Sequence, residues 1–254
     1  MIAETFNTIV FNPLYNALVF LIDMVPYADV GVAVVILTII VKTLLFPLAH
    51  KVAHMQVQMR KLAPELEEIK ETYKDDKQEQ TLKVMELYKK HGVQPFLSIL
   101  VIFIQLPIIF GLYWVFYHGG LPEIKIDLLY PFVSAPNTVN MSFLGLFDMG
   151  GRSIILAVLA GLTQFVLSIY TLQKPKPRGD TPSMKEDLAH SFHLQMKYVM
   201  PIVVVGISYT ISAAIALYWI TGNLFAIGQE LFVRREMSLQ KRNTDQKNNE
   251  LRNS

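Results

Sequence analysis

Apolar blocks of about 20 residues recur along this chain, the length a helix needs to cross ~30 Å of hydrocarbon at 1.5 Å per residue. In hydrocarbon no water satisfies backbone N–H and C=O groups, so such blocks are confined to helices or closed barrels. Five spanning helices are predicted, at about 29–49, 97–117, 152–172, 194–209 and 212–233. The fourth and fifth are short and closely joined, which predicts a tight helical hairpin. Of the 254 residues 52% are apolar, which fits a membrane protein better than a soluble domain.

Before the first span, "IVFNPLYNALVFLI" holds Asn12 and Pro13, residues suited to a helix N-cap and first helical position. A short amphipathic helix is therefore expected within residues 1–28, too short to span and lying along the interface. No Lys or Arg occurs in those 28 residues, so the positive region of a signal peptide is missing and the N-terminus is expected to be kept. Residues 29–233 form the five-helix core. It includes a polar insertion at 50–92, a Pro- and Gly-punctuated loop at 118–151 and a basic loop at 173–193. The segment 234–254 reads as a basic, disordered tail.

Basic residues are distributed unevenly between the two sides. Residues 50–92 carry nine Lys and Arg, 173–197 carry five and the tail carries six, whereas the opposite side has Lys125 and Arg152. The positive-inside rule then places the N-terminus outside and the 50–92 loop, the 173–193 loop and the tail in the cytoplasm.

Within 50–92, Met55, Met59, Leu62, Leu66, Ile69 and Tyr73 alternate spacings of four and three, which puts them on one helical face. "KDDK" at 74–77 interrupts the pattern, and Leu82, Met85 and Tyr88 resume it before Gly92. The pattern predicts an antiparallel pair of amphipathic arms. Their stripes either bury each other or present Met55, Met59, Leu62 and Leu66 as an adaptable receiving surface, a use to which methionine is suited.

In "VVILTIIVKTLLFPLA", 34–49, Lys42 stands within a membrane span. A charge at the centre of a span costs roughly 2.5–3.5 kcal/mol on insertion scales. Lys42 is roughly 12 Å from the inner end of its helix at His50, too far for snorkelling to relieve it fully. No Asp or Glu lies inside another span, Glu230 at the inner end of the last being nearest. The remaining solution is a water-containing cavity open to the cytoplasm, its positive charge set to meet an acid brought by another molecule. Gln105, Thr163, Gln164, Ser168, Thr221 and Asn223 are polar span residues that could line it or hydrogen-bond between helices, and Trp219, with Tyr218, could line it or anchor the helix at the interface.

Other chemistries find little support. Cysteine is absent, which removes disulfides, thiolate ligands, a cysteine nucleophile and a lipidated N-terminal cysteine. There is no nucleotide-binding glycine loop and no compelling Ser, His and acid arrangement, so an ATP-driven pump or an intramembrane hydrolase gains nothing. His50 and His54 stand four apart, and His190 and His193 three apart, a spacing that permits metal binding. The zinc-protease Glu is missing and no third ligand is strongly placed, so these are expected to be surface histidines, with no metal or other cofactor.

The stretch "IIVKTLLFPLAHKVAHMQVQMRKLAPELEEIKETYKDDKQEQTLKVMELYKKHGVQPFLSILVIFIQLPIIFGLYW", 39–114, resembles the core of the YidC family of membrane protein insertases. "AGLTQF" (160–165), "MKYVMP" (196–201) and "LYWITGNLFAIGQE" (217–230) resemble its last three core spans. The resemblance implies five helices around a hydrophilic groove, open to cytoplasm and lipid, that admits polar segments of a nascent membrane protein while its apolar helix slides into lipid. No covalent chemistry is implied, so the chain is not expected to be an enzyme. Lys42 takes the place where the family usually has arginine, and Trp219 matches a groove-side tryptophan. Gln164 lies about one turn before a polar glutamine position that Leu167 holds here. The implied groove residues are Lys42, Gln105, Gln164, Trp219 and Asn223. The large extracytoplasmic domain of some bacterial members has no counterpart, which implies a minimal form.

Implied partners are nascent membrane proteins and the lipid bilayer of the bacterial inner membrane, with the ribosome and the general secretion channel as further candidates. A competing reading is a small transporter or channel in which Lys42 binds an anionic solute; inverted repeats would favour it, and none is visible.

Overall fold

The structure is a computed structural model and describes residues 2–94, 97–172 and 191–253. Most of the expected 173–193 loop, His190 included, lies outside the described residues. The protein is an all-α membrane protein. Its helices are α1 (Ile2–Phe6), α2 (Asn12–Met24), α3 (Val30–Lys61), α4 (Ala63–Thr72), α5 (Lys77–Lys90), α6 (Leu97–His118), α7 (Ile154–Thr171), α8 (Met200–Ile211) and α9 (Ala213–Asn253). Among the described residues a single two-stranded ribbon, β1 (Ser142–Phe143) against β2 (Phe147–Asp148), lies between α6 and α7. Four stretches among the described residues are long and apolar enough to cross a membrane: Glu4–Met24, Val30–Val52, Ile154–Thr171 and Ser191–Ile211, so the N-terminal helix, expected to be too short to span, has the length to do so.

Two helices run further than the sequence pattern suggests. A π-helical turn, Asn7–Phe11, joins α1 to α2, and Asn12 is helical rather than a cap, its N–H donating to the Asn7 carbonyl. Pro13 has no N–H to give, and the widened turn before it lets the helix pass through the proline. At the other terminus α9 continues through 234–253, where a disordered tail is expected. No Gly or Pro follows Gly228 to stop it, and Val233 is fully packed.

By contacts the chain forms two compact units, Met1–Leu44 with Pro107–Leu231 and Leu45–Leu106 with Phe232–Ser254. The divisions in α3 and α6 fall close to Pro47 and at Pro107, in-helix prolines that remove a hydrogen bond from the ladder.

In the first unit the α6–α7 loop ties together the neighbouring helix ends. Asp29 caps α3, one carboxylate oxygen accepting from Val32 N at 3.0 Å and the other from Leu144 N at 2.8 Å. The Tyr15 hydroxyl donates to the Gly119 carbonyl and accepts from Lys125 N, both at 2.9 Å. Asn16 donates to the Leu128 carbonyl at 2.9 Å and accepts from Tyr130 N at 2.6 Å. Ala213 N at the head of α9 donates to the Gly151 carbonyl at 2.8 Å. Buried donors and acceptors are thus paired where the chain leaves regular structure. Gly31 is required here because a side chain would occupy the space of the Phe143 ring. Outward faces of the helices remain apolar and exposed, as at Leu159, Leu162, Val166 and Ile169 on α7 and Ile202, Val203 and Ile207 on α8, the pattern of helices solvated by lipid.

The second unit contains the helical hairpin. Asp76 caps α5 by accepting from Gln78 N and Glu79 N at 3.0 Å. α5 ends in a Schellman turn, with Gly92 at positive φ, Gly92 N donating to the Lys89 carbonyl and Val93 N to the Tyr88 carbonyl. Leu62, Leu87 and Val93 form a buried cluster with Met59, Leu66, Ile69 and Tyr88 packed against it. The expected stripe on the second arm is therefore displaced: Leu82 and Met85 are 55% and 62% exposed, and Leu87 is the buried anchor.

Candidate functional site

The loop-side halves of α3 and α9 are tightly packed, and their packing loosens in the same direction. On α3, Val30, Ala33, Val34, Leu37 and Thr38 are buried, while Ile39, Ile40 and Leu44 are exposed. On α9, every residue from Ala213 to Tyr218 is buried, Trp219, Ile220 and Thr221 are half-exposed, and Gly222 and Asn223 are buried again before Leu224 is exposed. Thr38 returns its hydroxyl to the Val34 carbonyl at 2.7 Å, so this buried polar group is satisfied within its helix.

Lys42 comes one turn after Thr38, where the packing opens. Its aliphatic stem lies against Gly222 on α9, the Lys42 Cε standing 3.3 Å and Nζ 3.8 Å from where a Gly222 side chain would begin. The missing side chain leaves the space that the lysine fills. Lys42 is half-buried and takes part in a polar interaction within the fold. One residue on, the Asn223 amide donates to the Thr163 hydroxyl at 3.2 Å and faces the Ala160 carbonyl at 3.5 Å, joining α9 to α7. Hydrogen bonds of this kind between membrane helices contribute about 0.6–2 kcal/mol. They fix the rotation of α9 that presents Gly222 to Lys42. Trp219, at three residues before Gly222, shares its helical face and packs half-exposed on the edge of the core.

Among the residues singled out in sequence, Lys42, Gln164, Trp219 and Asn223 belong to the first unit, and Gln105 belongs to the second. Gln164 is half-buried, directly after the Thr163 that Asn223 bonds. Ser168 donates to the Gln164 carbonyl at 2.9 Å and approaches the Met196 carbonyl at 3.4 Å, and Thr221 donates to the Leu217 carbonyl at 2.8 Å. Both hydroxyls thus face helix carbonyls. Gly222 escapes a sequence reading because a glycine in an apolar helix carries no chemical label; its spacing from Trp219 was the available signal.

The hairpin surface requires a correction. Met55 and Leu62 are buried and Met59 and Leu66 are half-buried against the hairpin cluster, so these side chains close the unit on itself. Burying a stripe between two arms removes apolar area from water without a partner, which decides between the two expectations. Leu82 and Met85 on α5 are the exposed apolar pair of the hairpin.

A family model described as 60Kd inner membrane protein matches residues 20–242. A protein of Clostridium tetani named membrane protein insertase YidC is 32% identical over 210 residues, covering 83% of this chain and 84% of that protein. The protein of the same name from Fusobacterium nucleatum is 32% identical over 229 residues, 89% of this chain and 98% of the relative. One from Wolinella succinogenes is 31% identical across 84% of this chain but only 35% of its own length.

Proposed function

Because the chain belongs to the 60Kd inner membrane protein family, whose similar members are named membrane protein insertase YidC, we propose that Lys42, Gly222 and Trp219 form the entry of an insertion groove. The protein is a multi-pass inner membrane protein that inserts nascent membrane proteins into the lipid bilayer. The observation that carries the groove reading is the seating of Lys42: α3 is sealed on the loop side through Thr38, and one turn on the half-buried Lys42 lies against Gly222, with half-exposed Trp219 on the same face of α9. A polar segment entering there meets a cation and travels only part of the bilayer. Its apolar helix meets the exposed faces of α3, α7 and α8 and partitions into lipid, a transfer that needs no covalent step. The membrane potential favours outward movement of negative segments by about 2.3 kcal/mol per charge per 100 mV.

The asymmetry of Lys and Arg supports a cytoplasmic hairpin and C-terminus and an external 118–151 loop. α2 is tied to that external loop through Tyr15 and Asn16. Within the first unit the groove residues extend to Gln164 and Asn223, and in the second unit the exposed Leu82 and Met85 offer the hairpin a receiving face. The ribosome and the general secretion channel are partners compatible with this orientation.

Photocrosslinkers placed at 105, 164 and 219 should capture a ribosome-stalled membrane protein with a short acidic outer segment, and one at lipid-facing Ile202 should capture its apolar helix. Equal crosslinking from loop-side Val133, or an anion flux defect with normal insertion on depletion, would overturn the groove. Gly222→Ala should be tolerated, because Lys42 can shift its flexible end by a few tenths of an ångström. Gly222→Leu should displace the ammonium and lower insertion about as much as neutralising Lys42 does, measured by protease protection of the inserted substrate.

A further inference from the structure

His50 and His54 follow each other by one turn on α3, and the tail portion of α9 brings Glu236 to them within the second unit. The Nε2 atoms of the two histidines lie 3.6 and 3.9 Å from the same Glu236 carboxylate oxygen, and the imidazoles meet edge to face at 4.6 Å. Ligand atoms of all three residues fall within 4.8 Å of one another. Phe46 stacks on His50 with centroids 5.7 Å apart and also meets Phe232 at 6.3 Å, forming an aromatic wall that restricts the ring. The side chains of His50, His54 and Glu236 are 27%, 30% and 36% exposed, so the cluster is held yet reachable from solvent.

We propose that His50, His54 and Glu236 form a binding site for a divalent transition metal of the zinc type. Two imidazoles four residues apart on a helix with one carboxylate from a second helix make a nitrogen and oxygen donor set that zinc favours and magnesium does not. Tetrahedral zinc with bonds of about 2.0–2.1 Å requires donor atoms about 3.3 Å apart. The present separations need only small side-chain rotations to reach this. The His50 Nδ1 is buried with no hydrogen-bond partner among the described residues, so no acceptor at Nδ1 sets the tautomer. Glu236 also makes a further interaction within the fold. Three protein ligands leave one coordination position for water. The metal would fasten the continued α9 helix to α3, a role separate from the insertion groove and independent of that reading.

The full-length chain in detergent micelles should bind one equivalent of Zn²⁺ in competition with a chromogenic chelator, and millimolar Mg²⁺ should not displace it. His54→Ala and Glu236→Gln should each weaken binding by about tenfold or more, whereas His190→Ala with His193→Ala should leave it unchanged. Co²⁺ bound to the unaltered protein should show the intense visible absorption of tetrahedral coordination, a readout that does not depend on the variants folding. Zinc binding that survives His54→Ala and Glu236→Gln, binding lost only with His190 and His193, or an octahedral cobalt spectrum would each overturn the site.

Discussion

Lys42→Glu is expected to abolish insertion of substrates with acidic outer segments, while Lys42→Arg retains it within about twofold, because arginine keeps the charge and adds a bidentate fork. Reversing the sign converts attraction into repulsion at the point where the packing of α3 opens. Opposite charges about 4 Å apart at an effective dielectric near 20 interact by ~4 kcal/mol, and only a third of that corresponds to about tenfold in rate. Lys42→Ala should fall between, losing the attraction without adding repulsion. The comparison requires equal protein levels in membranes and a substrate series differing only in outer charge. A substrate with a neutral outer segment should be less sensitive than an acidic one. Uniform loss across the series would mean that Lys42 supports the fold of α3 and not the reception of acidic segments.

Gly161→Val is expected to give the largest loss of stability. A side chain at 161 would run into Val205 and stand 3.0 Å from the Pro201 carbonyl, so α7 and α8 must separate where they now pack backbone to backbone. Membrane helices lack a hydrophobic drive toward each other, so close approach at small residues supplies much of their association. Overpacking of this kind costs about 1–3 kcal/mol, or roughly 2–10 °C in a detergent melting curve. Gly206→Ala, on the same helix pair with open space beside it, should leave the midpoint unchanged. Equal shifts for both glycines would show that helix propensity, not the close contact, sets the effect.

Several features were legible from local pattern. The length of apolar blocks marked three of the four stretches long enough to cross a membrane, and the period of apolar residues marked the hairpin. Where the pattern misled, a particular packing decided otherwise. The apolar period puts Leu82, Met85 and Tyr88 on the second-arm stripe, but the arm turns so that Leu87 and Val93 meet Leu62. Asn12 and Pro13 have the composition of a helix start, and the π turn before them overrides it. Residues 234–253 have the composition of a solvated tail, yet they continue a helix already anchored at Val233.

Hydrophobic length, charge asymmetry and helical period are one-dimensional quantities, each determined by residues within a few turns of one another. The sequence therefore suffices to make this chain a multi-pass helical protein with a cation inside a span and a basic side. The face of α9 met by Lys42, the bond from Asn223 to Thr163, the clamp of Asp29 on Leu144 and the arrival of Glu236 at two histidines all join residues distant along the chain. Such pairings leave no periodic trace, because they depend on how whole helices rotate and approach. They arise when packing of small residues and satisfaction of buried polar groups select one arrangement of those helices.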